Sequence, residues 1–164
     1  MPTGDLTAVL VKHDAWATRQ ILQACERMPL DQFAQPFDMG PGSLRATLTH
    51  IISAMRRWTD VLAKRPPRPR LDQNGVAYSP AELLQLLDEA AGEFASIARS
   101  HPMDETVTHT LQGKQFTFTR AAVVAQVTTH AMHHRAQCLN MLRQLGVSPL
   151  PISSVAEWAV SGER

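Results

Sequence analysis

The sequence predicts an all-α protein, a four-helix bundle with one small β-hairpin ahead of its fourth long helix. Three observations lead there. Four segments of roughly twenty residues repeat apolar side chains at the three-and-four spacing of a helix face. Capping residues stand where these segments begin, and proline or glycine where they stop. A single stretch, residues 106–118, alternates with period two. The longer connections permit a helix order in space that differs from the order in the chain.

The first helix is expected from about Leu6 to Met28, with Leu6, Leu10, His13, Ala17, Ile21, Ala24 and Met28 on its apolar face. Pro29 and the Phe33–Gly42 stretch break it. The second starts near Ser43 and carries Leu44, Leu48, Ile51, Met55, Trp58 and Leu62. It must stop before Pro66-Pro67, because a residue preceding proline disfavours the α region. A polar linker follows to about Tyr78. Ser79, Pro80 and Glu82 form the start of a third helix, a capping box with proline at the first turn. Its core face holds Leu83, Leu86, Leu87, Ala90, Phe94 and Ile97, and His101-Pro102 ends it.

Val107, His109 and Leu111 alternate with threonines, Gln112-Gly113 is a turn signal, and Phe116 and Phe118 alternate again, which predicts the hairpin. Thr119 caps the fourth helix, which runs to Leu145 with Gly146 as the residue that ends it. Ser154 and Glu157 form a further capping box before a short terminal helix carrying Trp158.

The chain has 164 residues, 44% of them hydrophobic, and a formal net charge of +1. That suits a single domain over residues 1–164 with a real core. Near-neutral charge argues against a nucleic-acid partner; the densest basic run, Lys64–Arg70, reads as a solvated linker. The two cysteines, Cys25 and Cys138, lie in apolar helical patterns and read as buried free thiols. No apolar run is long enough for a membrane span, and Met1–Asp5 lacks a signal peptide's opening. A cytoplasmic protein with a small-molecule substrate is the expectation.

His130 and His134 interrupt the apolar seam of the fourth helix, Val123, Val127, Cys138, Met141 and Leu145, and occupy its two middle positions. An offset of four returns to within about 40° of the same face, so both imidazoles point inward and can reach one metal ion. A catalytic metal site needs at least a third protein ligand. His50 is the candidate, in the second helix beside the small residues Ser43, Thr47 and Ala54. Three imidazole nitrogens would suit Zn²⁺, Ni²⁺, Fe²⁺ or Co²⁺.

The residues alone leave alternatives open. A pair of this spacing also arises in ordinary packing. His133 competes with His134, although it lies about 100° away from it around the helix. His13 reads as a core or rim histidine that could also line the site. Asp14, Glu89 and Glu93 read as solvated helix surface, and His101 and His109 as turn and strand residues. A peptidase of the HExxH kind is excluded, because Ala131 stands where its glutamate base would be.

The run Thr129-His130-Ala131-Met132-His133-His134-Arg135-Ala136-Gln137, with Met141-Leu142-Arg143-Gln144-Leu145-Gly146 after it, resembles the DinB/YfiT-like family, whose pattern is H-x-x-H-H-R-x-Q leading into a Leu-Arg-x-x-Gly helix end. Gly42–Ile51 is similar to the family's second-helix motif ending in a ligand histidine, and Asp14-Ala15-Trp16-Ala17 to its first-helix aromatic motif. Ala136 departs mildly, since glycine is common there. The resemblance covers nearly the whole chain. It implies an up-down-down-up bundle, a divalent metal (nickel or zinc), the ligands His50, His130 and His134, and a homodimer. It also implies chemistry of the thiol S-transferase kind, with a low-molecular-weight thiol as cosubstrate. Arg135 is then expected either to pair structurally or to bind an anionic group, and Gln137 to orient a ligand histidine. The alternative expectation is a metal- or ligand-binding stress protein without catalysis.

Overall fold

Asp5 opens the first helix by accepting the Thr7 N–H at 3.0 Å. In the computed structural model, which describes residues 4–161, helix α1 spans Leu6–Cys25, α2 Leu30–Phe33, α3 Leu44–Leu62, α4 Pro80–Ala98, α5 Arg120–Gln144 and α6 Val155–Ser161. Strands β1 (Thr106–Leu111) and β2 (Lys114–Thr119) pair antiparallel, and a single 3₁₀ turn covers Leu71–Gln73. Met1–Thr3 and residues 162–164 lie outside the described residues, and with them the ends of the single-domain reading and most of the signal-peptide reading.

The expected starts appear where the caps are. Ser43 accepts from Ala46 N–H at 3.1 Å and Thr119 from Ala122 N–H at 3.2 Å. Ser79 and Glu82 bond reciprocally in a full capping box. In the hairpin, Gln112 and Gly113 both take positive φ (49° and 76°), the two-residue turn whose twist matches paired strands.

Helix α1 packs chiefly on α4 and α5, and α3 on the same two, so the ring order is α1–α4–α3–α5. Two arginines report the directions. Arg120, at the start of α5 and fully buried, donates to the carbonyls of Leu62 (2.9 Å) and Ile97. The C-terminal ends of α3 and α4 therefore meet the N-terminal end of α5, where a cation complements the negative ends of two helix dipoles. Arg99, just past α4, lies 3.8 Å from Asp5 at the head of α1. Hence α1 and α5 run one way and α3 and α4 the other: up, down, down, up. Leu22, Phe33, Leu48, Ile52, Leu83, Leu87, Phe94 and Met141 fill the centre. Among the described residues no helix is long and apolar enough to cross a membrane.

Several details differ from the sequence reading. Helix α1 ends at Cys25 rather than Met28, and Leu6 is 69% exposed. His13, Ala17 and Ile21 of the expected face are buried, and the buried surface widens to Val11, Asp14, Thr18, Leu22 and Cys25, because Asp14 and Thr18 are bonded inside the bundle. The short pieces α2 and Leu71–Gln73 were not foreseen; they are too brief to show a period. The basic linker is not simply solvated. Arg65 and Arg68 converge on the buried Asp60 and on Glu93, with Arg65 Nε 2.7 Å and the Arg68 N–H 2.9 Å from Asp60. Burial opposes ionisation of Asp60, but these bonds outweigh it and hold its carboxyl below the ordinary value. Glu93, expected on solvated surface, belongs to the same network.

Candidate metal centre

His50 sits in the second turn of α3, behind two threonines whose hydroxyls bond back to the helix: Thr47 to the Ser43 carbonyl and Thr49 to that of Arg45. Those back-bonds remove the hydroxyls from competition for the ring. On α5, His130 and His134 stand one turn apart and face α3. The nitrogens that His50, His130 and His134 can offer a cation all lie within 4.8 Å of one another. His50 Nε2 and His130 Nε2 are 3.1 Å apart, and the ring centroids are separated by 4.5–5.0 Å.

Two of the rings are oriented from behind. Nδ1 of His50 lies 2.8 Å from Asp72 Oδ2, so it carries the proton and Nε2 presents its lone pair. Nδ1 of His134 likewise donates to Gln137 Oε1 at 2.8 Å. Gln137 also reaches His133, whose Nε2 is 3.3 Å from its amide nitrogen. Asp72 is itself held by Ser53 Oγ (2.8 Å) and by Arg70 (Nε 3.0 Å, Nη2 2.6 Å). Burial would raise the Asp72 carboxyl, but the bonds from Arg70, His50 and Ser53 prevail and keep it well below the usual carboxylate range.

Burial drives the His130 imidazole down to about 4, with the neighbouring His134, His50 and His133 adding to the effect. His134 is also lowered by burial, partly opposed by the Gln137 hydrogen bond. At neutral pH both are therefore uncharged, the form that binds metal.

The donor set fits a divalent cation. Two imidazole nitrogens on one tetrahedral Zn²⁺ at its ordinary bond length are about 3.3 Å apart, close to the separation found. Among the described residues no carboxylate joins the cluster directly; Asp72 acts through His50, the arrangement that commonly supports histidine–metal sites.

Two cavities share His50. One, of about 150 Å³, is lined by His50, His130, Arg57, Trp58, Arg70 and Gln126 among others, on the side where His50 and His130 approach. The second, of about 480 Å³, lies toward Asp72, Arg45 and Ser43.

The remaining candidates go elsewhere. His13 is buried, with Nε2 2.8 Å from the Ser153 carbonyl, and packs between Trp16 and Trp158. Arg135 is buried on the far side of α5 and pairs with Asp14, also reaching Thr18 Oγ1 at 3.2 Å. Of its two expected roles the structure displays the ion pair. Asp14 is thus completely buried, not solvated surface, because Arg135 supplies its counter-charge. His133 is exposed and stands beside the cluster rather than in it. His109, expected as an ordinary strand residue, accepts a hydrogen bond from Arg57. The sequence reading missed Asp72. The usable signal was chemical: a histidine ligand commonly donates its second N–H to a carboxylate, and the connection after α3 holds one, Asp72.

The DinB family model matches residues 1–163 of the chain. Among solved structures, a DinB-like protein of Bacillus subtilis, YjoA, superposes with a TM-score of 0.61 at 16% identity, covering 88% of this chain and 97% of that one. YfiT from Bacillus subtilis, described as "a probable metal-dependent hydrolase with an unusual four-helix bundle topology", gives a TM-score of 0.64 at 19% identity, covering 90% and 94%. At these identities the likeness concerns the fold. No curated protein matches the chain by sequence.

Proposed function

The chain belongs to the DinB family, and from that premise we propose that it is a divalent-metal enzyme transferring a low-molecular-weight thiol to a small electrophilic substrate. The observation that carries the reading is the convergence of three imidazole nitrogens within 4.8 Å, two of the rings fixed from behind by Asp72 and Gln137. Zinc and nickel are the metals the reading favours. When bound, the cation would stabilise a thiolate, and so supply a nucleophile at neutral pH.

The chain's own residues do the rest. His50, His130 and His134 hold the ion. Asp72 and Gln137 keep the protons on the Nδ1 atoms, leaving the Nε2 lone pairs directed inward. The thiol proton leaves to solvent, sulfur bonds to the electrophilic carbon, and the displaced group departs with its electron pair. Two cavities meeting at His50 suit a reaction of two substrates.

Conjugation of chlorodinitrobenzene with a panel of small thiols, by zinc- or nickel-loaded and by metal-free protein, tests this. The expected result is metal-dependent chloride release and thioether formation that disappears in His50→Ala, His130→Ala and His134→Ala. Full metal loading with no turnover of any thiol would reject it. A second reading, hydrolysis, is favoured by the description of YfiT; metal-dependent cleavage of an ester panel without added thiol would establish that instead.

A further inference from the structure

Arg57 is the one charged group of the smaller cavity that no carboxylate balances among the described residues. The other arginine there, Arg70, is closed on Asp72 by two bonds, and Asp72 also holds His50. Among the described residues the partner of Arg57 is His109, whose Nε2 lies 3.2 Å from Nη2. A guanidinium never accepts, so that ring nitrogen must offer its lone pair, and His109 is neutral. Burial first, and then the charge of Arg57, lower the His109 imidazole, in keeping with this. The contact therefore aims the guanidinium without neutralising it. The aim is firm, because Trp58 packs on the His109 ring at 5.4 Å and on Phe118 at 5.8 Å, tying the hairpin to α3.

Leu111, Trp58 and Ala54 supply apolar wall to the same cavity, and Gln126 adds an amide. A cation half withdrawn from water against such a wall recovers its lost solvation best from an anion, and a guanidinium offers a carboxylate two parallel N–H bonds. His50 and His130 line the same space. Its volume, about 150 Å³, is that of about five water molecules, which limits the occupant to a few non-hydrogen atoms within the cavity.

We propose that Arg57 binds the carboxylate of a small organic acid, so that the substrate of the histidine centre is an anion held between Arg57 and that centre. This rests on the cluster being the reacting centre, and the experiment separates the two.

Propionate is titrated into full-length protein, metal-free and Co²⁺-loaded, and followed by the tryptophan and histidine NMR signals and, in the loaded form, by the cobalt absorption bands. Metal content is measured on every sample. Propionate is expected to bind and its neutral analogue propionamide not to. R57Q should weaken propionate by about 10- to 100-fold, the loss of a charge-assisted bond pair, and R57K should restore part of it. L111W, which fills the cavity while keeping Arg57, should also abolish binding. Propionate binding unchanged in R57Q, or equal binding of propionamide, would overturn the proposal. Binding that depends on Arg57 in a protein that takes up no metal would uphold the anion site and reject the metal centre. Metal uptake without binding that depends on Arg57 would do the reverse.

Discussion

Nδ1 of His50 lies 2.8 Å from Oδ2 of Asp72, so the candidate ligand on α3 is oriented by a residue that returns to it from twenty-two positions further along the chain. An aromatic ring that must meet a cation at a fixed angle depends on such a partner for both its tautomer and its tilt. Asp72→Asn keeps the shape and removes the charge. Metal affinity should fall about 10- to 100-fold, as read by competition with a chromophoric chelator. An affinity within twofold of the parent would show that the carboxylate only organises the linker.

Gly40 has a φ of +52°, and a Cβ built there would stand 2.1 Å from Gln137 Oε1, the atom that accepts from His134. Gly40→Ala should therefore act twice. It should cost about 1–2 kcal/mol of stability through the left-handed backbone, measured by urea unfolding. It should also loosen metal as much as Gln137→Ala does, by displacing the amide. Stability lost with metal affinity intact would show that Gln137 can yield without releasing His134.

The buried Arg135–Asp14 pair should be costly to break on one side only. Burial pushes the Asp14 carboxyl up to about 6 despite Arg135, and one of its oxygens, Oδ2, has no hydrogen-bond partner among the described residues. Arg135→Met strands that carboxylate and should destabilise by about 3–5 kcal/mol, whereas the double variant Asp14→Leu/Arg135→Met should cost much less. Additive losses in a denaturation cycle would refute the coupling.

Acid should weaken the metal-free protein. His130 titrates near 4 in the fold against 6.5 when unfolded, so between those values the unfolded chain takes up a proton that the native one refuses. Its contribution is complete above about 6.5 and is lost as pH falls toward 4. Allowing for partial solvent exposure, that is on the order of 1–2 kcal/mol. The groups facing it, His134, His50 and His133, press in the same direction. Lowered His13, His109 and His134 add losses of the same sign. Asp14 opposes them: its raised value favours the native state below about 3.8, a gain lost as pH rises through 6. Unfolding midpoints from pH 8 to pH 4.5 should fall overall, and less steeply in His130→Gln. A rise on acidification would mean that Asp14 dominates.

Cys25 and Cys138 are completely buried, and burial raises both thiols, Cys25 to about 12. Maleimide labelling at pH 8 should be negligible until the protein unfolds. Stoichiometric labelling of the native protein within minutes would contradict the burial. If labelling is absent, the attacking sulfur of any transfer reaction must come from a cosubstrate.

The features with local causes were legible beforehand. The seams of α3, α4 and α5, the caps at Ser43, Ser79 and Thr119, and the Gln112-Gly113 turn all depend on residues close in sequence. The inward aim of His130 and His134 followed from their place in an apolar stripe, and the structure sets His50 opposite them. What escaped the reading depends on distant partners. Asp14 looks like surface until Arg135, 121 positions away, is brought against it. Arg120 seems misplaced at the positive end of a helix until the carbonyl ends of α3 and α4 arrive there. Asp72 and Gly40 sit in segments with no period, whose paths only packing decides.

His134 and Arg135 are neighbours on α5, yet one joins the histidine cluster and the other is bolted to α1 through Asp14. The helix cannot roll about its axis without tearing that bolt, so the bearing of the two imidazoles is set by the core before any ion arrives. Chelation should then empty the centre and leave a folded bundle, unlike small domains that collapse only around their metal. The protein would work as a rigid socket, exchanging its ion without rebuilding its frame.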